Sequence, residues 1–119
     1  MNTRRRVLFA LLAGSAVLAG CASPQVTDYV QQRPKLELDR YFNGRLHAYG
    51  LFQKRGGEVV RRFTVVMDCH WEGNQGVLDE SFTYSDGTTQ RRVWHLTKLE
   101  GGRYTGRAGD VVGEAQGQE

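Results

Sequence analysis

Residues 59–72 read Val59-Val60-Arg61-Arg62-Phe63-Thr64-Val65-Val66-Met67-Asp68-Cys69-His70-Trp71-Glu72. Six of the seven odd-numbered positions in this stretch are apolar, against two of the seven even-numbered positions. Alternation with a period of two is typical of a β-strand that buries one face, because successive side chains point to opposite sides. The stretch therefore predicts a long strand with Phe63, Val65, Met67, Cys69 and Trp71 on its buried face.

Turn signals divide the rest of the chain into similar lengths. They are Gly56-Gly57, Gly73-Asn74-Gln75-Gly76, Asp86-Gly87 and Gly101-Gly102, which are glycine-containing pairs typical of tight hairpins. Between and beside them we predict four more strands, over residues 46–53, 77–84, 89–99 and, more weakly, 103–108. Consecutive strands joined by tight turns form an antiparallel meander.

The first hairpin turn predicts how two of these strands pair. A two-residue turn at Gly56-Gly57 pairs Ala48 with Val65. The same turn pairs Leu46 with Met67 and Gly50 with Phe63. The apolar faces of the two strands then coincide, as a half-buried sheet requires.

At Asp86-Gly87 two turns compete. A two-residue turn pairs Leu78 with His95, whereas a three-residue loop with Gly87 as a left-handed bulge residue pairs Leu78 with Trp94. We favour the three-residue loop because it brings apolar side chains together. It also places Glu80 opposite Arg92 on the apolar face, where a charge pair is costly unless it is satisfied or functional. The pair is then either a surface pair near an open edge or a ligand contact.

The number of strands limits the architecture. An eight-stranded barrel is the smallest with room for a small ligand, and the sequence predicts five strands, or six if residues 111–115 join. Residues 114–119 add neither a closing turn nor a final apolar strand. We therefore predict an all-β fold, a curved antiparallel up-and-down meander that forms an incomplete barrel. Its exposed edge strand is a site for self-association.

Residues 1–20 indicate an exported protein. Three arginines at positions 4–6, an apolar run over residues 7–18 and the small residues Ala19 and Gly20 form a secretory signal-peptide helix. The apolar run of 12 residues is shorter than the roughly 20 that a spanning helix needs, so a cleaved signal is favoured over a membrane anchor. Residues 3–8 partly match the twin-arginine export pattern, and the export route stays open.

The stretch Leu18-Ala19-Gly20-Cys21 resembles the lipobox of bacterial lipoproteins, in which the cysteine is acylated and becomes the first residue after cleavage. The resemblance implies membrane attachment through acyl chains on Cys21. Because no aspartate follows the cysteine, it also implies the outer membrane, facing the periplasm. Residues 21–40 contain Pro24 and Pro34 and little apolar periodicity, which predicts a tether. The β-meander domain is expected over residues 41–119.

Charge and cysteine content narrow the function classes. The chain has 16 Lys and Arg and 13 Asp and Glu, and three of its arginines lie in the predicted signal, so 13 basic residues remain against 13 acidic ones. A balanced charge does not favour a nucleic-acid partner.

With Cys21 acylated, Cys69 is the one cysteine left, so we expect no intramolecular disulfide.

Two groups of polar residues have the composition of metal-binding or catalytic sets. Asp68, His70 and Glu72 share one face of the long strand, and such a set can bind zinc or act as acid and base. We favour a solvated polar face, since metal ligands usually converge from two strands.

Cys69 and His70 are adjacent on a strand and point to opposite faces, so they do not form a thiol and base pair. We predict no catalytic residue, no metal site and no cofactor.

Further motifs resemble a family of bacterial lipoproteins, domain of unknown function 3833. They are Tyr41-Phe42-Asn43-Gly44, Gly50-Leu51-Phe52-Gln53, Val60-Arg61-Arg62-Phe63, Trp71-Glu72-Gly73, Thr83-Tyr84-Ser85-Asp86-Gly87-Thr88, Arg92-Val93-Trp94 and Asp110-Val111-Val112-Gly113. The resemblance covers residues 41–117 and implies a lipocalin-like, calycin-type β-barrel that is truncated here at its C-terminal side. It also implies genes beside cyclopropane-fatty-acid synthase-like enzymes, and it supplies no catalytic residues.

Together these features predict an envelope lipoprotein that binds a lipid or fatty-acyl ligand or assists lipid modification. The candidate ligand contacts are Glu80, Arg92, Trp94 and Trp71. A structural or assembly lipoprotein without a small-molecule ligand is the alternative. An enzyme is the least favoured class.

Overall fold

The computed structural model describes residues 23–119. The predicted signal peptide and the predicted acylation site Cys21 lie outside the described residues. Residues up to Pro34 and residues from Lys35 form two separate units. In the first, a 3-10 helix spans Val26–Tyr29, and the backbone N–H of Gln25 donates to the Asp28 carboxylate at 2.8 Å. In the part of the chain that the structure covers, no helix has the length and apolar character to cross a bilayer.

The second unit contains one short α-helix and a six-stranded antiparallel sheet whose strands follow one another in sequence order. The helix α1 spans Leu38–Tyr41, and a 3-10 helix spans Glu100–Gly102. The strands are β1 Gly44–Gln53, β2 Val59–Glu72, β3 Gln75–Tyr84, β4 Thr89–Lys98, β5 Arg103–Ala108 and β6 Ala115–Gln118. The sheet curls into half a barrel with β1 and β6 as its edges. The predicted all-β, incomplete up-and-down meander is confirmed.

The predicted register of β1 and β2 is confirmed, but the turn that joins them is different. Ala48 lies opposite Val65 and Leu46 opposite Met67. The backbone N–H of Gly57 donates to the carbonyl of Lys54 at 2.8 Å, and Gly57 has φ of 90°. The loop therefore has three residues and ends in a left-handed bulge residue. The shift that this loop adds is cancelled between Phe52 and Gln53, where the register slips by one residue.

The register of β3 and β4 is the one that the three-residue loop predicts. Leu78 lies opposite Trp94 and Glu80 opposite Arg92. The backbone N–H of Gly87 donates to the carbonyl of Tyr84 at 2.9 Å, and its φ of 85° is the left-handed conformation that glycine adopts without strain.

The sixth strand lies later in the chain than expected. We predicted residues 111–115, whereas β6 covers Ala115–Gln118 and pairs Ala115 with Gly106 and Gly117 with Tyr104. Its inward positions hold small residues, so no apolar alternation marks it in the sequence. Backbone pairing with β5 is what makes this segment a strand.

The apolar side chains of the sheet meet on its concave face. Val65, Met67, Cys69, Leu78 and Leu96 form the buried cluster. Phe63 and Trp71, the other two members of the predicted buried face of β2, pack against this cluster and stay half-buried. A Cβ atom at Gly76 would lie 2.6 Å from the Trp71 ring, so glycine leaves the space that the indole occupies. Burial raises the pKa of the Cys69 thiol, as expected for a packed cysteine.

The helix α1 packs on the concave face, although residues up to 40 were assigned to the tether. Leu38 and Phe42 contact the buried cluster. The Trp71 Nε1–H donates to the carbonyl of Phe42 at 2.8 Å, and Lys98 Nζ lies 2.7 Å from Asp39 Oδ2. Residues four apart share one side of a helical turn, which is how Leu38 and Phe42 both reach the sheet.

Candidate ligand-binding site on the concave face

An open cleft of about 270 Å³ lies on the concave face. Its walls are apolar side chains from three elements and the loop after α1: Leu38, Phe42, Leu78, Trp94 and Leu96. Known small-molecule sites have volumes of roughly 300–1,000 Å³ and mostly apolar linings with few polar groups. The cleft is slightly smaller than this range, and its volume is closer to that of a segment of one hydrocarbon chain than to that of a whole lipid.

Small residues on β6 leave part of this space open, whereas the position above Gly106 is filled, since a Cβ atom there would lie 2.6 Å from Leu96 Cδ2. Gly106, Ala115 and Gly117 all line the cleft. A Cβ atom at Gly117 would lie 3.9 Å from the Cβ of Tyr104, which is ordinary van der Waals contact. A side chain at Gly117 would therefore occupy the cleft without colliding with the backbone.

Glu80 is the one charged side chain among the lining residues. Burial raises its pKa, Arg92 opposes this rise and Asp110 adds to it. Arg92 lies opposite Glu80 on the neighbouring strand but forms no ion pair with it, because the Arg92 guanidinium is paired with Asp110. Among residues 23–119 no buried side-chain oxygen lacks a hydrogen-bond partner, so the Glu80 carboxylate is open to water in the cleft, although its partial burial still disfavours the charge.

Arg92 and Asp110 form a closely bonded pair beside the cleft. Arg92 Nη2 lies 2.7 Å from Asp110 Oδ2, and Arg92 Nε lies 3.0 Å from Asp110 Oδ1. The fork geometry of the guanidinium matches a carboxylate, and the hydrogen bond from Arg92 lowers the pKa of Asp110. Gln90 extends the network, since its amide donates to Asp110 at 3.2 Å and accepts from the Tyr84 hydroxyl at 2.7 Å.

Aromatic rings cover the concave face at the end of the sheet nearest the β1–β2 turn. The Phe63 ring lies 5.2 Å from Phe52, 5.8 Å from Phe82 and 6.1 Å from Tyr84 between centroids. The Arg61 guanidinium lies 3.8 Å above the Tyr84 ring, within the range of a cation–π contact. These contacts fill this end with protein side chains.

Polar contacts hold α1 over the opposite end. Lys98 and Asp39 form an ion pair whose side chains are 33% and 25% exposed. The Tyr104 hydroxyl lies 3.3 Å from Asp39 Oδ1, and the Leu38 backbone N–H donates to Glu119 Oε2 at 2.8 Å. The hydrogen bond from Lys98 is the main cause that lowers the pKa of Asp39. The cleft is thus walled at one end by a helix that charged groups fix in place.

The structure brings together two of the four predicted contacts. Glu80 and Trp94 line the cleft, whereas Arg92 lies beside it and binds Asp110. Trp71 packs under α1, with its ring 6.1 Å from that of Tyr104, and is not a lining residue. Their role in ligand binding stays a prediction.

Sequence reasoning missed the contribution of α1 and the small residues of β6. The spacing of Leu38 and Phe42 was an available signal, since apolar residues four apart indicate one face of a helical turn. Nothing in the sequence pattern marks Gly117 as a lining residue, because its position depends on the pairing of β6 with β5.

The polar residues of β2 lie on the outer, convex face. Asp68 accepts hydrogen bonds from Arg45 at 2.9 and 3.2 Å, and His70 Nε2 lies 3.2 Å from Glu72 Oε1. Their exposed positions fit the favoured interpretation of a solvated face. Among residues 23–119, no group of three or more His, Cys, Asp or Glu side chains is placed to hold a metal ion.

Replacing Glu80 with glutamine should stabilise the fold at neutral pH. The pKa of Glu80 is raised in the folded protein, so its charge opposes folding above the folded pKa. Below its ordinary value of 4.5 the carboxyl is neutral in both states and the cost disappears. We expect a gain of less than about 1 kcal/mol near pH 7, because water in the open cleft screens the charge, and almost none near pH 3. Urea unfolding at both pH values measures it, and an equal gain at both would contradict the assignment.

Comparison with known proteins gives one family. Residues 15–119 match the model of a family described as "Protein of unknown function (DUF3833)". Neither a curated protein nor a solved structure matches the chain.

Proposed function

The chain belongs to the DUF3833 family, and we propose that it is a membrane-anchored envelope lipoprotein that binds the hydrocarbon chain of a lipid or fatty-acyl group on its concave face. The observation that supports this proposal is the open apolar cleft with one unpaired carboxylate, Glu80. A sheet that served only as a scaffold would gain stability by filling the cleft with side chains. Glycine at position 117 leaves it open instead, since a Cβ atom there would meet only Tyr104 Cβ, at 3.9 Å.

Incomplete burial of the core supports the same proposal. Among residues 23–119, no large side chain is less than 2% exposed, and the most buried core residues, such as Tyr104, Val65 and Leu78, retain 4–6% exposure. Apolar surface that remains in contact with water on a concave face is surface that a hydrocarbon chain can cover. Each buried methylene contributes about 0.8 kcal/mol, so a chain segment of six carbons contributes about 5 kcal/mol before the entropic cost of binding.

The polar groups suggest how such a ligand is oriented. Hydrocarbon lies against Leu78, Trp94 and Leu96, and the head of the ligand lies near Glu80 and the Arg92–Asp110 pair. Few, fixed polar groups at the edge of an apolar pocket are the usual way in which proteins orient amphipathic ligands. Glu80 then accepts a hydrogen bond from a donor on the ligand, which gives this costly residue a function.

Filling the cleft at Gly117 tests the proposal. We expect Gly117→Leu to weaken binding of a fluorescent long-chain alcohol, whose hydroxyl can donate to Glu80, by about tenfold or more, because displacing two methylenes costs about 1.6 kcal/mol. The matched control is Ser81→Leu, which adds the same side chain at an exposed position on the opposite face of the sheet. Binding is measured by fluorescence titration of the whole chain, and circular dichroism verifies that both variants are folded.

The same experiment separates the proposal from its alternative. Native mass spectrometry of the protein extracted from membranes should show a bound lipid that Gly117→Leu lacks and Ser81→Leu retains. If the wild-type protein binds neither the probe nor a co-purified lipid, the cleft is not a ligand site, and a structural or assembly role for the lipoprotein takes its place.

A further inference from the structure

Exposed apolar side chains cluster near the turn of the β1–β2 hairpin. Seven large apolar side chains of residues 35–119 are at least 47% exposed, and four of them lie in this hairpin. They are Tyr49 at 79%, Leu51 at 47% and Val60 at 60% on the convex face, and Phe52 at 49%, whose ring packs on Phe63 at the margin of the concave face. Single exposed apolar residues are normal on a protein surface, whereas a cluster marks an interaction site.

Basic residues surround this cluster. Lys54 pairs with Glu58 at 3.1 Å and Arg61 pairs with Asp86 at 3.5 Å. Arg55, in the turn, and Arg62, opposite Leu51, belong to none of the ion pairs found in residues 23–119. These two arginines leave this end of the hairpin with a positive charge. We call the exposed set the tip surface: Tyr49, Leu51, Phe52, Val60, Lys54, Arg55 and Arg62.

We propose that the tip surface docks onto an anionic lipid bilayer. Aromatic and aliphatic side chains interleaved with arginine and lysine are typical of surfaces that lie in the membrane interface. The apolar side chains enter the headgroup region, and Arg55 and Arg62 contact the anionic headgroups, each basic residue adding favourable free energy near such a surface.

A bilayer fits the tip surface better than a protein partner does. A stable protein interface buries roughly 1,200–2,000 Å² around a fully dehydrated centre, and the end of a two-stranded hairpin is too narrow for this. A bilayer requires only a few inserted side chains and flanking positive charge. In this arrangement the β1–β2 turn points toward the membrane.

Vesicle binding tests the proposal independently of the cleft. The mature chain that the lipobox resemblance implies, residues 21–119 carrying Cys21→Ser, is used, so that neither the predicted acyl anchor nor the basic and apolar residues of the predicted signal contribute to binding. It is sedimented with vesicles of phosphatidylcholine alone and with vesicles of equal parts phosphatidylcholine and phosphatidylglycerol. We expect binding to the anionic vesicles, with Arg55→Gln weakening it about fivefold, the equivalent of the roughly 1 kcal/mol that one basic residue adds near an anionic surface. Leu51→Ser should weaken binding as well.

Matched controls lie outside the tip surface. Arg103→Gln removes an exposed arginine from β5 and Val112→Ser removes an apolar side chain that is fully exposed, and neither should change vesicle binding. Equal losses for Arg55→Gln and Arg103→Gln would overturn the proposal, because the effect would then be one of net charge. Absence of binding to anionic vesicles would also overturn it.

Discussion

Replacing Trp71 with alanine should lower the free energy of unfolding by about 3 to 5 kcal/mol, the range for large aromatic truncations in protein cores. Trp71 packs against the buried cluster and fills the space above Gly76. Its Nε1–H also bonds the carbonyl of Phe42 and so ties the end of α1 to the sheet. Alanine removes both the packing and the hydrogen bond. Urea unfolding of the whole chain, followed by circular dichroism, measures the loss.

Two further variants separate these contributions. Trp71→Phe keeps a ring but loses the N–H group, and should cost about 1 kcal/mol beyond the change in packing, as for one hydrogen bond. His70→Ala is the matched control on the neighbouring position, where the side chain is 67% exposed, and should change stability by less than about 0.5 kcal/mol. Similar losses for Trp71→Ala and His70→Ala would show that the facing of β2 is wrong.

Replacing Cys21 with serine should release nearly all of the protein from the membrane. Serine cannot carry the thioether-linked lipid that the lipobox resemblance implies. One acyl chain gives only marginal membrane binding, and stable attachment requires a second, so loss of the modified residue removes the anchor altogether. Membranes are washed in about 1 M salt before fractionation, since salt at this concentration screens binding through Arg55 and Arg62.

The other cysteine provides the control for this experiment. Cys69 is buried in the core, and Cys69→Ala should leave the protein acylated and membrane-bound. Incorporation of a radiolabelled fatty acid reports the modification directly. A Cys21→Ser protein that stays labelled and sediments fully with salt-washed membranes would contradict the lipoprotein assignment.

Local patterning predicted most of the sheet. The alternation in residues 59–72 is visible in the sequence because one face of β2 is buried and the other is solvated. The register of β3 with β4 followed from two rules, that apolar faces must coincide and that glycine takes the left-handed position of a three-residue loop. The register of β1 with β2 is also confirmed, although it was derived from a two-residue turn that the structure does not contain. Even where the turn at Gly57 differed, a compensating bulge kept the apolar faces aligned, which indicates that side-chain burial determines the register more strongly than the turn does.

Only the tertiary structure decided which residues make the cleft. The partner of Arg92 is Asp110, which is distant along the chain and comes close because β5 folds back along β4, and cross-strand pairing in the sequence pointed to Glu80 instead. The strand β6 has four residues with no large apolar side chain and gives no periodic signal. The helix α1 also has only four residues, so the spacing of Leu38 and Phe42 is the one signal it offers. Periodicity in the sequence indicates which face of a single element is buried. A cleft, by contrast, forms where several elements meet and their side chains do not fill the space between them.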